Sequence, residues 1–154
     1  MPRLLEAASA ADLDHVRALF AEYERAIGVD LGFQGFADEL RSLPGAYARP
    51  RGRLLLALEG DAVAGCGALR PLEPEIAELK RMYVRPAFRG RGIARAIAGA
   101  LLAAARAEGY RAARLDTLAS MREARALYAS LGFREIPAYY ANPLPGAVYL
   151  ELAL

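Results

Sequence analysis

The segment from Glu78 to Gly109, ELKRMYVRPAFRGRGIARAIAGALLAAARAEG, limits what the chain can become, because its structural period changes in the middle. Apolar and β-favouring residues at Leu79, Met82, Tyr83 and Val84 open it as a strand, and simple alternation places Glu78, Lys80, Met82 and Val84 on one face. Pro86 stops the strand. Arg89-Gly90-Arg91-Gly92 then forms a turn, and an alanine-rich stretch from about Ile93 to Glu108 reads as a helix that Gly109 closes. A strand passing through glycines into a helix makes a seat for phosphate. The first-turn amides lack internal partners, and the aligned peptide dipoles put partial positive charge there. Gly90 and Gly92 clear an anion's approach while Arg89 and Arg91 add full charge. A basic surface turn explains the tetrapeptide taken alone; the flanking strand and helix favour phosphate.

The rest of the chain alternates strand and helix signals. Arg3 to Ala7 reads as a strand, and Ser9 with Asp12 forms a capping box for a helix reaching Ile27, ended by Gly28. A short helix over Phe33 to Leu40 precedes a loop broken by Pro44, Gly45, Pro50 and Gly52. Apolar runs on either side of Gly60-Asp61 predict a hairpin of Arg53 to Leu58 with Ala62 to Leu69. Gly65 and Gly67 leave one face of its second strand open to close approach, and Cys66, pointing the other way, reads as a core residue before a nucleophile. Arg111 to Thr117 is a further strand, parallel to the central one because a helix joins them. A helix from a Ser120 cap to Leu131 shows Met121, Ala124, Tyr128 and Leu131 on one face, and strands over Phe133 to Tyr139 and Ala147 to Leu152 close the chain.

Several classes are excluded by composition. At 154 residues the chain is most simply one domain, and with a formal charge of +2 it lacks the electrostatic footprint of a nucleic-acid binder. Cys66 and His15 are each the sole residue of their type, so a disulfide, a zinc site and a Ser-His-Asp triad all lack parts. No apolar run reaches membrane-spanning length and no N-terminal segment reads as a signal peptide, so the expectation is a cytoplasmic protein with no membrane partner and no metal. Of the twenty basic residues only Lys80 is a lysine, and the arginine and alanine bias reads as base composition before phosphate binding.

The run Arg89-Gly90-Arg91-Gly92-Ile93-Ala94 resembles the acetyl-CoA signature of the GNAT superfamily of N-acetyltransferases, and ELKRMYV resembles that family's central strand. Leu127-Tyr128-Ala129-Ser130-Leu131-Gly132-Phe133 is similar to the family's Tyr-x-x-x-Gly-Phe helix end, and the ordered pair spans essentially the whole chain. The resemblance implies an α/β fold with a mixed, mostly antiparallel sheet of about seven strands, a splayed central parallel pair and about four flanking helices. It implies acetyl-CoA as co-substrate, with the backbone of Met82, Tyr83 and Val84 meeting pantetheine and the amides of Arg89, Gly90, Arg91, Gly92, Ile93 and Ala94 wrapping the pyrophosphate. It implies direct attack of an amine, on a small molecule or a protein, in a ternary complex, and allows a homodimer.

Such an amine, of pKa about 10.4, is neutral in roughly one molecule per 2,500 at pH 7, a handicap of about 4.6 kcal/mol, so a base is required. The resemblance gives that role to Glu78 and the role of acid toward the departing thiolate to Tyr128. Read as bare residues, Glu78 is a solvated or salt-bridged surface group before a base, Tyr128 equally a core aromatic, and Met82 and Val84 core packing. Many members carry an asparagine where this chain has Met121, which cannot make that contact; Ser120 or a water would substitute, and Arg122 and Arg125 could reach the CoA 3′-phosphate. Phe33, Gln34 and Tyr139, with Phe36 and Tyr140, are candidates for the acceptor pocket, and no acidic cluster announces a polycationic acceptor. The competing reading is a CoA-binding regulatory module without catalysis.

Overall fold

A capping box starts the first helix. Ser9 Oγ accepts the Asp12 amide at 3.0 Å while the Asp12 carboxylate accepts the Ser9 amide at 3.2 Å, so α1 (Ala10–Ile27) begins with these two amides satisfied. Gly28, at φ 70°, ends it. The chain, seen in a computed structural model that describes residues 2–154, then builds one mixed sheet. Its strands are β1 (Arg3–Glu6), β2 (Arg53–Glu59), β3 (Ala62–Glu73), β4 (Ile76–Val84), β5 (Ala112–Leu118), β6 (Arg134–Ile136) and β7 (Ala147–Ala153). They lie in the order β1-β2-β3-β4-β5-β7-β6, and only β4 and β5 run parallel. With α2 (Phe36–Ser42), α3 (Ile93–Ala107) and α4 (Arg122–Ser130), this is the α/β architecture that the resemblance implied.

Two cores cover the two faces. On one, Ile93, Ile97, Leu101 and Leu102 of α3 pack with Leu55, Leu69, Leu79 and Leu115 of the sheet and with Tyr128 and Phe133. On the other, Val16, Leu19 and Phe20 of α1 join Phe36, Leu54, Leu56 and Cys66. Each fully buried aliphatic side chain contributes about 1.5–3 kcal/mol. Cys66 is a core residue, its thiol donating to the Arg81 carbonyl at 3.3 Å. Gly67 lets α3 lie flat on β3: a Cβ there would stand 2.5 Å from Ile97 Cγ2 and 2.7 Å from Met82 Sδ.

Where the elements differ from expectation, local chemistry explains it. β3 continues past Leu69 to Glu73 and β4 begins at Ile76, a second hairpin that Pro71 and Pro74 hide from a reading of strand propensity. Gly35, at φ 70°, divides the expected second helix into a 3-10 turn at Gly32–Gln34 and α2. Ser120 does not cap α4; Met121 holds that position and no side chain caps the helix. β6 is confined to Arg134–Ile136, so Tyr139 belongs to the loop that follows.

The largest correction concerns β4. Arg81 takes φ 59°, and the register with β3 slips between Cys66 and Ala68, so one extra residue is inserted and the alternation reverses. Ala77, Leu79, Met82 and Val84 pack toward α3, whereas Lys80, Arg81 and Tyr83 contact the α1 and α2 side. Glu78 and Met82, expected on one face, are on opposite faces. Arg81 is held in its unusual conformation by a fork of two 2.9 Å bonds to Glu39 and by its guanidinium lying 5.0 Å above the Phe36 ring.

Candidate active site

The parallel strands pair only briefly. Ile76, Ala77 and Glu78 of β4 match Ala112, Ala113 and Arg114 of β5, and beyond them the ladder stops just before the bulge at Arg81, which bends β4. The strands splay, and a cleft of about 780 Å³ opens between them. Met82, Tyr83 and Val84 form one wall, Leu118, Ser120, Met121, Arg122 and Tyr128 the other, and Arg89, Gly90, Gly92, Ile93 and Ala94 one end.

Gly90 and Gly92 sit at φ 78° and 77°, a conformation that L side chains rarely adopt. Nothing lies within 4 Å of a Cβ built at either, so backbone conformation rather than crowding requires glycine, and the space in front of the loop is open. The amides from Gly90 through Arg95 find no acceptor among the described residues; the next, Ala96, bonds the Gly92 carbonyl. An uncapped row of donors at the start of a long helix, opening on the cleft, suits a diphosphate. The arginines fold back on the loop: Arg89 Nε donates to the Val84 carbonyl at 2.9 Å, and the Arg91 guanidinium lies 5.5 Å from the Phe88 ring centre and does not line the cleft.

Adjoining the inner end of the cleft is a cavity of about 60 Å³ between the splayed strands. Tyr23, Ile27, Met82, Leu118, Met121, Ala124 and Tyr128 border both spaces. On the far side stand Lys80, Asp116, Gln34 and Asn142. Lys80 and Asp116 each lie two residues past the last paired position of their strand, and so face one another where the ladder has opened. Lys80 Nζ donates to Gln34 Oε1 at 3.1 Å and stands 3.8 Å from Asp116 Oδ1. Burial pulls the Lys80 pKa down, opposed by the nearby Glu78 and Asp116 carboxylates. Asp116 Oδ2 accepts from the Tyr140 hydroxyl and from Asn142 Nδ2.

The residues expected at the site separate into two groups. Met82, Tyr83, Val84, Arg89, Gly90, Gly92, Ile93, Ala94, Tyr128 and Gln34 are brought together. Burial pushes the Tyr128 phenol pKa up, and its hydroxyl makes no hydrogen bond among the described residues, so it remains a free donor at the junction of the two spaces. Glu78 does not reach the junction. It is 1% exposed, with Oε1 ion-paired to Arg70 at 2.8 Å and Oε2 accepting the Tyr139 hydroxyl at 2.7 Å. Tyr139 therefore supports Glu78 instead of lining the pocket, and Phe33 is an exposed residue outside it.

Sequence reasoning did not single out Asp116 or Asn142, and it read Lys80 only as strand and composition. The signals were a lone lysine in an arginine-rich chain and an acid at a polar position of the neighbouring strand.

The acetyltransferase (GNAT) family profile matches residues 13–133, and an uncharacterized N-acetyltransferase from Schizosaccharomyces pombe is 37% identical over 145 residues, 93% of this chain and 89% of that protein. The chain belongs to the GNAT family. This N-acetyltransferase shares its fold with an acetyltransferase of Staphylococcus aureus, at a TM-score of 0.82 and 18% identity over 99% of both chains. A putative acetyltransferase from Salmonella typhimurium, solved with its cofactor acetyl-CoA, superposes at a TM-score of 0.69 with 19% identity over 99% of this chain and 94% of that one.

Proposed function

We propose that this GNAT enzyme transfers the acetyl group of acetyl-CoA directly to an amine held at the splay. The observation that carries the reading is the adjacency of two spaces: a cleft ending on unbonded helix amides, and a cavity ending on a carboxylate, with Tyr128 in the wall of both. The donors from Gly90 through Arg95 fit a pyrophosphate, and the β4 edge at Met82 to Val84, which has no β5 partner, fits the amide-bearing pantetheine arm. Bound acetyl-CoA supplies a thioester whose carbonyl carbon is the electrophile.

Asp116 Oδ1 takes one proton from the ammonium of the acceptor, and the freed lone pair attacks the carbonyl carbon. The C–N bond forms and the C–S bond breaks. The second amine proton, released as the amide forms, balances the departing thiolate. The Tyr128 phenol, protonated because burial raises its pKa, hydrogen-bonds the sulfur as charge develops there. Glu78 acts at one remove: with Arg70 and Tyr139 it anchors the strand and loop that hold Lys80 and Tyr140. The test is thiol release from acetyl-CoA over a panel of amines, beside calorimetric acetyl-CoA binding. Amine-dependent release with acetylated product supports the reading, and failure to bind acetyl-CoA overturns it.

A further inference from the structure

The floor of the splay holds a buried ammonium and a mostly buried carboxylate whose hydrogen-bonding capacity is not used up. The Lys80 and Asp116 side chains are 5% and 11% exposed. An ammonium has three donors, and Lys80 Nζ spends one on Gln34 Oε1. Its 3.8 Å separation from Asp116 Oδ1 is too long for a hydrogen bond. Asp116 shows the complementary gap. Oδ2 accepts twice, while Oδ1 accepts no hydrogen bond among the described residues. Charged groups largely withdrawn from water with unmet capacity are costly, and both of these line the cavity that adjoins the cleft.

A ligand that satisfies both must offer an anion to Lys80 and a cationic donor to Asp116 within a few ångströms of each other. An α-amino acid does this, because one carbon separates its carboxylate from its ammonium. We propose that the acceptor is a free α-amino acid, its carboxylate on Lys80 Nζ and its amino nitrogen on Asp116 Oδ1. The proposal rests on the acetyltransferase reading and adds the acceptor class to it. The seat explains selection in both directions. The carboxylate satisfies an ammonium that burial disfavours, while a simple amine leaves it unmatched and a diamine sets a second cation against it. The same contact aims the nitrogen, because a carboxylate fixed on β4 and an amine fixed on β5 leave the N lone pair directed toward the Tyr128 end of the cavity, where the thioester arrives. Leu31 and Leu144 border the space left for a side chain.

The experiment compares each of the common amino acids with its decarboxylated amine and its carboxamide as acceptors for the wild-type enzyme, by thiol release and product mass. For the best amino acid we expect kcat/KM at least about tenfold above both analogues, as for loss of a charged hydrogen bond. Lys80→Met should bring that ratio close to one. Equal or better use of the decarboxylated amines overturns the proposal, as does acetyl-CoA binding with no amino acid acetylated; in both cases the acetyltransferase reading stands. Absence of acetyl-CoA binding would remove that reading as well. If Lys80→Met fails to fold, the wild-type comparison alone decides.

Discussion

Exchanging the two carboxylates one at a time separates the anchoring role proposed for Glu78 from the proton-accepting role proposed for Asp116. Glu78→Gln keeps the shape of a side chain that is 1% exposed but removes the charge opposite Arg70, whose side chain is 34% exposed. Breaking a fully buried pair costs about 3–5 kcal/mol, and a single charge-assisted hydrogen bond contributes about 1.5–3. Arg70 can turn partly to water, and the glutamine can still accept from Tyr139, so the expected loss is about 2–3 kcal/mol. For a chain of this size that is a fall in Tm of about 4–12 °C. Turnover measured well below the new Tm should fall less than about tenfold, because Glu78 lines neither the cleft nor the cavity. Asp116→Asn should instead show its main effect in turnover, with a loss of about 10²–10⁴ in kcat, the usual contribution of a general base. Paired thermal melts and steady-state kinetics measure both. A Glu78→Gln enzyme with unchanged Tm and turnover reduced more than about hundredfold would refute the assignment and return the base to Glu78.

Three further outcomes follow from the same geometry. Tyr128→Phe should lower kcat by about 10–10² with little change in acetyl-CoA affinity, since the hydroxyl has no protein partner and acts only on the departing sulfur; an undiminished kcat would reduce Tyr128 to packing. Gly67→Ala drives a methyl to within 2.5 Å of Ile97 Cγ2 and 2.7 Å of Met82 Sδ, and should cost about 1–3 kcal/mol in chemical denaturation while weakening acetyl-CoA binding through the displaced β4. Burial alone would raise the pKa of Glu39, but its bonds to Arg81 prevail and hold it below its ordinary value of 4.5. That pair therefore stabilises the fold at pH values above 4.5, and its contribution is lost as the pH falls through the depressed folded value. Melting curves between pH 7 and pH 3 should accordingly be flatter for Glu39→Gln than for the wild type, and equal slopes would contradict the assignment.

The features legible in the sequence are those fixed by neighbours along the chain. Ser9 and Asp12 cap α1 across a single turn, Gly60-Asp61 turns a hairpin, and Gly90 with Gly92 supplies the left-handed conformations that lead into α3. Each is a local backbone requirement that only a few residue types meet, so the residue announces it. The parallel placement of β4 and β5 was legible for a related reason, since a helix between two strands leaves little other choice.

The tertiary structure decided which side chains line the cleft and the cavity. A strand reads with period two only while no residue is inserted, and the bulge at Arg81 is held by Glu39 and Phe36, far away in the chain. One inserted residue reverses every later side chain, so Glu78 and Met82 part company even though the sequence spacing seemed to join them. Whether a carboxylate is a free base or a bound anchor depends on partners that spacing does not reveal: Arg70 and Tyr139 occupy Glu78, while Asp116 keeps one oxygen open beside Lys80. The glycine loop and the start of α3 were written locally; the pairing of Lys80 with Asp116 exists only once two strands have been brought together and then made to part.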